Sequence, residues 1–317
     1  MSSRRGATWR PLDRLRSRGH LGRQRRTGIL LVLPALGVML AVLGYPVATS
    51  IVLSFQHVKP GSGQFLGAWV GLNNYLSIFS DPVFVTALSN TLYYATVEVV
   101  AVVGFGLAMA MLLNHPFGRF AFFRVILLIP WAISPVANAV MWKWIYNSNY
   151  GILNYLLHQL GIINQYVVWL GNQQLALNAL LVADIWKSLP FIALLLLAGL
   201  QNVPPILYRA ARLDGASAWQ TFRFVTLPQM RTAILICVVL QTMWALKVFD
   251  LIYVLTRGSP ADATVTLNYL AYRETFEFGV FGYGAALADV LFLMMFVLAL
   301  IYLRVFHPMS GAQQAGS

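Results

Sequence analysis

The sequence predicts an all-α integral membrane protein: a bundle of six transmembrane helices with a polar, helical connection on the cytoplasmic side between the fourth and fifth. Three observations carry that expectation. Of 317 residues, 59% are hydrophobic and 10% charged, with a mean hydropathy of +0.68, too apolar for an ordinary water-soluble domain. The apolar residues gather into six runs of at least 21 residues, each long enough to cross a hydrocarbon core about 30 Å thick. The cationic residues are segregated, with 16 Lys and Arg in the segments on one side of these runs and three on the other, which makes the first side cytoplasmic.

Taken in order, residues 1–28 hold Arg4, Arg5, Arg10, Arg14, Arg16, Arg18, Arg23, Arg25 and Arg26 against one acid, Asp13. Almost without apolar periodicity, they read as a disordered cytoplasmic tail. Span 1 is expected at 29–55, too long for a signal-peptide core and without a small-x-small cleavage site, with bends at Pro34 and Pro46. The polar loop 56–82, with Lys59 its one basic residue, belongs outside. Span 2, at 83–113, contains Glu98, and Arg119 and Arg124 place the following loop inside. Span 3, at 125–145, contains Pro130, Pro135 and Lys143, and Trp142, Trp144 and Tyr146 mark its outer interface. Residues 147–174 carry no charge and read as an external helix around 152–160. Span 4, at 175–200, contains Asp184, Lys187 and Pro190; span 5, at 232–256, contains Lys247 and Asp250. The outer loop 257–281 has more acids than bases, and span 6, at 282–303, ends at Arg304 before a short tail, 304–317. Both termini are then cytoplasmic.

The net charge of +12 does not point to nucleic acid, because beyond the N-terminal tail no dense basic run exists. Cys237 is the only cysteine, which excludes a disulfide framework and a thiol metal site; it reads as a small buried hydrophobe. None of the four lysines follows a glycine, so no Gly-Lys-Ser/Thr phosphate loop exists, and no metalloprotease or serine-hydrolase motif is present. The chain is expected to bind no metal and no cofactor, and to catalyse no reaction. Gly104-Phe-Gly106 and Gly282-Tyr-Gly284 read as close-packing positions in apolar helices.

The connection 201–231 has an internal logic. Residues 206–213 form a short helical run that Asp214-Gly215 breaks: glycine tolerates the turn, and the aspartate suits the cap of a following helix. The second run begins at Ala216 and spaces Trp219, Phe222 and Val225 at helical intervals, with Pro228 as its expected stop. Two short helices meeting at a small-residue elbow make a knob. Spacing alone leaves two readings open, a plug for a groove on another protein and an interfacial helix on lipid headgroups.

The register Ala210-Ala211, three residues, Gly215, nine residues, Val225-x-Leu227-Pro228 resembles the coupling motif of the membrane subunits of binding-protein-dependent ABC importers. Arg209 stands where that family carries Glu. A second stretch, Phe249-Asp-Leu-Ile-Tyr-Val-Leu-Thr-Arg-Gly-Ser-Pro260 with Gly282-Tyr-Gly-Ala-Ala-Leu287, is similar to the maltose-type, carbohydrate-uptake branch, with Ser259 in place of a commoner glycine. The resemblance covers roughly residues 29–303, the expected permease domain. It implies a permease in the prokaryotic inner membrane that pairs with a second permease subunit. Two ATPase subunits using ATP and Mg would dock on a coupling helix formed by Arg209, Ala210, Ala211, Asp214, Gly215, Ala216, Trp219, Leu227 and Pro228. An extracytoplasmic solute-binding protein would deliver a disaccharide or oligosaccharide.

Ionisable residues inside spans face a bundle interior or a water-filled path. Glu98, Lys143, Asp184, Lys187, Lys247, Asp250 and Asp289 are of this kind. Lys143, between Trp142 and Trp144, reads as an interfacial anchor, and Asp184 with Lys187, at i and i+3, as a self-contained pair. Sugar recognition needs hydrogen-bonding groups beside an aromatic face. Gln241, Trp244, Lys247 and Asp250 in span 5, with Asp184, are the expected substrate pathway. Glycerol phosphate or another polyol remains an alternative cargo, and a stand-alone secondary transporter an alternative class.

Overall fold

The computed structural model describes residues 30–58, 67–114 and 125–314. The expected tail 1–28, Lys59, and the Arg119–Arg124 loop lie outside the described residues. Among the described residues, five helices are long and apolar enough to cross a membrane: Leu30–Ser54, Pro82–Asn114, Ala176–Gln201, Ala218–Leu255 and Phe281–Arg304. The chain divides into two compact units, Met1–Val52 and Leu53–Ser317.

Helix α1 (Leu30–Ser54), which belongs to the first unit up to Val52, widens into a π-helical turn at Leu40–Gly44, two residues ahead of Pro46. Proline lacks an N–H and its ring crowds the carbonyl four residues back, so the wider turn accommodates it without ending the helix.

The second unit begins with a short antiparallel ribbon, Gln56–His57 against Ala68–Trp69, and helix α2 (Asn73–Ser80). Asn74 fastens the ribbon to α2 by donating to the carbonyls of Ser54 and Gln56 at 2.7 and 3.0 Å. Helix α3 (Pro82–Asn114) follows, with Asp81 accepting from the Val83 amide at 2.8 Å to cap its start. Along α3, Ala87, Thr91, Ala95, Glu98, Val102, Gly106 and Ala110 are buried, a stripe at helical intervals against the long helix α6 (Ala176–Gln201). Small residues let these backbones approach, which is how helices associate in lipid. A Cβ on Gly106 would lie 3.3 Å from Ile192, and one on Gly199 only 2.5 Å from Ala233.

The stretch expected as span 3 is not one continuous helix. A short turn, Ile129–Ala132, stops at Ile133, whose backbone is extended, and helix α4 (Pro135–Ile145) restarts with Ser134 as N-cap. Pro135 forces this break, because the residue before a proline is driven out of the helical region. Helix α5 (Ile152–Gln159) falls where the charge-free external segment is expected to be helical. It is held down by Asn154, which donates to the Val167 carbonyl at 2.9 Å and accepts from the Trp169 ring N–H at 2.9 Å.

Beyond α6 come helix α7 (Pro205–Leu213) and the composite helix α8, made of Ala218–Thr221, a π turn at Phe222–Thr226, and Leu227–Ala245. Pro228 does not stop the second run. It sits at the first turn of Leu227–Ala245 behind a π turn, the same device that carries α1 past Pro46. The chain unwinds at 246–249, then forms helices α9 (Asp250–Leu255) and α10 (Leu267–Tyr272), and ends in α11 (Phe281–Gln314).

The loop between α9 and α10, expected outside, is pinned to α3. Asn90 donates to the carbonyls of Asp262, Ala263 and Val265 at 3.4, 3.2 and 2.9 Å, and the Leu267 amide donates to Thr91 at 2.9 Å. Arg273 pairs with Asp262 at 2.7 Å. Burial pushes the Glu274 carboxyl above its usual range, and adjacent Arg273 pulls the other way.

Candidate functional site

Two places concentrate the sequence-selected residues. The first is a cavity of about 330 Å³ among α3, α4, α6 and the unwound segment between α8 and α9. The break at Ser134 turns Trp131 and Asn138 toward it from opposite sides of a proline-rich bend. The break at 246–249 brings Lys247, Val248 and Phe249 to its wall together with Asp250. Irregular backbone at membrane depth is tolerated where it lines a cavity. Asn268 takes up one loose end, donating to the Lys247 carbonyl at 2.8 Å.

Of the expected pathway residues, Asp184, Trp244, Lys247 and Asp250 line this cavity, and Gln241 does not. Gln241 is fully buried and donates to Oε1 of Glu98, so it stands behind Glu98. Asp184 accepts from the Tyr94 hydroxyl at 2.8 Å. The expected Asp184–Lys187 pair is not formed, since among the described residues ion pairs are confined to Arg273. One helical turn brings the two backbones together, but Asp184 turns inward to Tyr94. Lys247 and Asp250 are likewise not ion-paired, because the helix between them is unwound. Lys143 donates to the Val254 carbonyl at 3.5 Å, which ties α4 to α9.

Sequence reasoning missed Trp131, Asn138 and Ser188. An aromatic wall runs along one side, with Trp131 stacked on Phe191 at 4.7 Å between centroids and Phe191 tilted against Trp244 at 5.7 Å. The charged residues at the lining are Glu98, Asp184, Asp250, Lys187 and Lys247, a nearly balanced set with no anion-selecting excess of cations.

The second place is the knob. Helix α7 carries Arg209, Ala210 and Ala211, and Ala211 is its buried residue. Gly215 follows with φ +73°, the left-handed region that glycine enters without strain. Asp214 does not cap the next helix. It closes α7, its N–H bonding the Ala210 carbonyl at 2.9 Å. The cap falls three residues later, where Ser217 and Gln220 form a reciprocal capping box, a signal legible as Ser-x-x-Gln. Trp219 is 69% exposed with its ring 5.5 Å from Phe222, and Leu213 is 89% exposed, so the tip offers apolar surface. Tyr208 and Thr226 share a hydrogen bond of 3.3 Å that braces α7 against the base of α8.

Apolar helices around a cavity with polar and aromatic walls, with a braced helical knob, suit a membrane permease subunit. The sequence pattern of the family described as "Binding-protein-dependent transport system inner membrane component" matches residues 102–309, and the chain belongs to that family. It is 37% identical to the trehalose/maltose transport system permease protein MalF of Thermococcus litoralis, over 89% of this chain and 94% of the relative. It is 34% identical to the sulfoquinovosyl glycerol transport system permease protein SmoG of Agrobacterium fabrum, over 89% and 90%. With the trehalose transport system permease protein SugA of Mycobacterium tuberculosis the identity is 34%, over 92% and 93%. The fold matches a chain of the bacterial alginate ABC transporter, solved in complex with an alginate pentasaccharide-bound periplasmic protein, with a TM-score of 0.77 at 20% identity, covering 90% of this chain and 96% of that one.

Proposed function

We propose that this chain forms, with a second permease chain, the path for a neutral disaccharide or oligosaccharide, in an importer powered by two separate ATPase subunits. Family membership makes it the permease of a binding-protein-dependent transport system, and its relatives are named for trehalose, maltose and sulfoquinovosyl glycerol. The observation that carries the choice of cargo is the cavity. Trp131 and Trp244 supply aromatic faces, Asn138, Ser188 and the carboxylates supply hydrogen-bonding groups, and Lys187 with Lys247 do not outnumber Glu98, Asp184 and Asp250. Apolar CH faces of a sugar stack on indole while its hydroxyls need donors and acceptors. A phosphorylated cargo calls for a cationic surplus.

In this reading six spans cross the membrane, the broken stretch 125–145 serving as the third, and the arginine distribution puts both termini and the knob in the cytoplasm. An external binding protein hands its sugar to the outer face. The knob, through Arg209, Ala210, Ala211, Asp214, Gly215, Ala216, Trp219, Leu227 and Pro228, seats in a groove on an ATPase subunit. ATP and Mg act there, and this chain binds neither. Coupling requires that the groove contact differ between inward- and outward-open forms, since a ligand shifts an equilibrium only by its differential affinity.

The test is a solute screen on the reconstituted complex, with stimulation of ATP hydrolysis as the readout. Stimulation by binding protein loaded with a neutral sugar is expected. Stimulation confined to glycerol phosphate overturns the choice of cargo.

A further inference from the structure

Two short helices, α2 and α5, present the wrong face to water. The segments that hold them, 67–80 and 147–174, contain no Asp, Glu, Lys or Arg. Each helix turns an asparagine inward. Asn74 donates to the carbonyls of Ser54 and Gln56, and Asn154 donates to the Val167 carbonyl while accepting from the Val167 amide and the Trp169 ring. Both asparagines are buried. The outward faces are apolar: Leu72, Leu76 and Phe79 on α2, the last two 65% and 67% exposed, and Tyr155, Leu156 and Leu160 on α5, the last 72% exposed. A helix on a wet surface buries its leucines and exposes its amides. The reverse pattern, found twice, fits an apolar medium outside the protein. Asn73, Ser77 and Gln159, also exposed, are uncharged, a mixture that the boundary between headgroups and acyl chains accepts.

Both helices adjoin the ends of membrane-crossing elements. Helix α2 stops at Ser80, and α3 starts at Pro82 and continues with Val83, Phe84 and Val85, apolar from its first turn. The segment holding α5 leaves α4 at Ile145 and joins α6 at Ala176, and the Tyr146 hydroxyl donates to the Ala179 carbonyl at 2.8 Å, which holds those two helix ends at one level. Trp144, exposed and 5.4 Å from the Tyr150 ring, carries the aromatic belt into the segment. The connection 257–281 differs, because it contains Arg257, Asp262, Arg273, Glu274 and Glu277, the kind of groups that steer and register a protein partner. We propose that α2 and α5 lie in the headgroup–acyl boundary of the outer leaflet, with Leu76, Phe79, Leu156 and Leu160 toward the acyl chains, and anchor the outer rim of the permease to lipid. The proposal rests on the orientation read above. With no cation on either face, the attachment is apolar and independent of lipid charge.

The test uses the full complex, with the other subunits free of cysteine and Cys237 buried. Leu76→Cys and Leu160→Cys are labelled with bimane in detergent and reconstituted into phosphatidylcholine vesicles, and Phe79→Cys and Leu156→Cys take their place if either variant fails to assemble. Quenching is compared between lipids brominated near the headgroup end of the chain, lipids brominated near the methyl end, and external iodide. Bimane at both helices is expected to lose most fluorescence to the shallow bromines, less to the deep ones and little to iodide. Neither added anionic lipid nor loaded binding protein should change that order. Glu277→Cys, exposed in the charged connection, should respond to iodide alone. Strong iodide quenching without lipid quenching at Leu76→Cys and Leu160→Cys overturns the proposal. Shielding from every quencher overturns it too, assigning the faces to binding protein if the shielding needs that protein and to the second permease chain if it does not. Lipid quenching at one helix only overturns the proposal for the other. Labelling of a cysteine at Ser148 only after the membrane is opened refutes the orientation itself, and the outer-leaflet placement with it.

Discussion

Replacing Gly215 separates backbone strain from collision at the knob. Its φ of +73° is one that side-chain-bearing residues avoid, and an added Cβ would meet nothing within 4 Å in this chain. The intramolecular penalty is therefore conformational. Holding an ordinary residue in the left-handed region costs roughly 1–2 kcal/mol, less for asparagine and more for a β-branched residue. At about 1.4 kcal/mol per decade, Gly215→Ala lowers the fraction of knobs in the docking conformation by about tenfold, Gly215→Val by more, and Gly215→Asn by only a few-fold. If instead the groove wall of the ATPase leaves no room at this position, asparagine, the larger side chain, is worse than alanine. The assay is sugar-stimulated ATP hydrolysis and uptake in the same vesicles, normalised to co-purified ATPase subunits. The order Gly, Asn, Ala, Val supports strain, and the order Gly, Ala, Asn supports collision. Wild-type coupling in Gly215→Val refutes the assignment of the knob as the contact.

Three further outcomes are expected. A cysteine at Ser148 should react with an impermeant maleimide from outside and one at Ser217 only after the membrane is opened, against a low background because Cys237 is buried; reversed labelling overturns the charge-based orientation. Asn90→Leu removes the donor to three carbonyls of the outer loop and should speed tryptic cleavage after Arg257 in right-side-out vesicles several-fold, since these bonds contribute about 1–2 kcal/mol; unchanged cleavage means the loop is held elsewhere. Trp244→Ala removes one of the two indoles that line the cavity and should lower maximal sugar uptake about tenfold, the scale of an aromatic contact at a binding site; unchanged uptake returns Trp244 to packing.

The parts legible in the sequence are those whose physics is local in the chain. The elbow follows from Gly215, and apolar run length gives five of the expected spans. Proline was harder to read. Pro135 breaks its stretch at Ile133–Ser134, whereas Pro46 and Pro228 are carried through by π turns, and no local signal separates the two outcomes. Hydrogen bonds between distant residues were also hidden. Gln241 reaches Glu98 across 143 positions and Tyr94 reaches Asp184 across 90, contacts that spacing within one helix cannot show; Gln241 stands behind a cavity-lining carboxylate, and Asp184 turns to Tyr94 where spacing suggests Lys187. Asn138 is one amide in an apolar run, and only the packed structure shows that it has no partner.

The most direct test of the account is uptake of labelled trehalose or maltose into vesicles holding the whole complex, with loaded binding protein outside and either ATP with Mg or an ion gradient inside. Accumulation that requires both binding protein and internal ATP, and that Gly215→Val abolishes together with stimulated hydrolysis, is the predicted result. Accumulation driven by the ion gradient without ATP would contradict it.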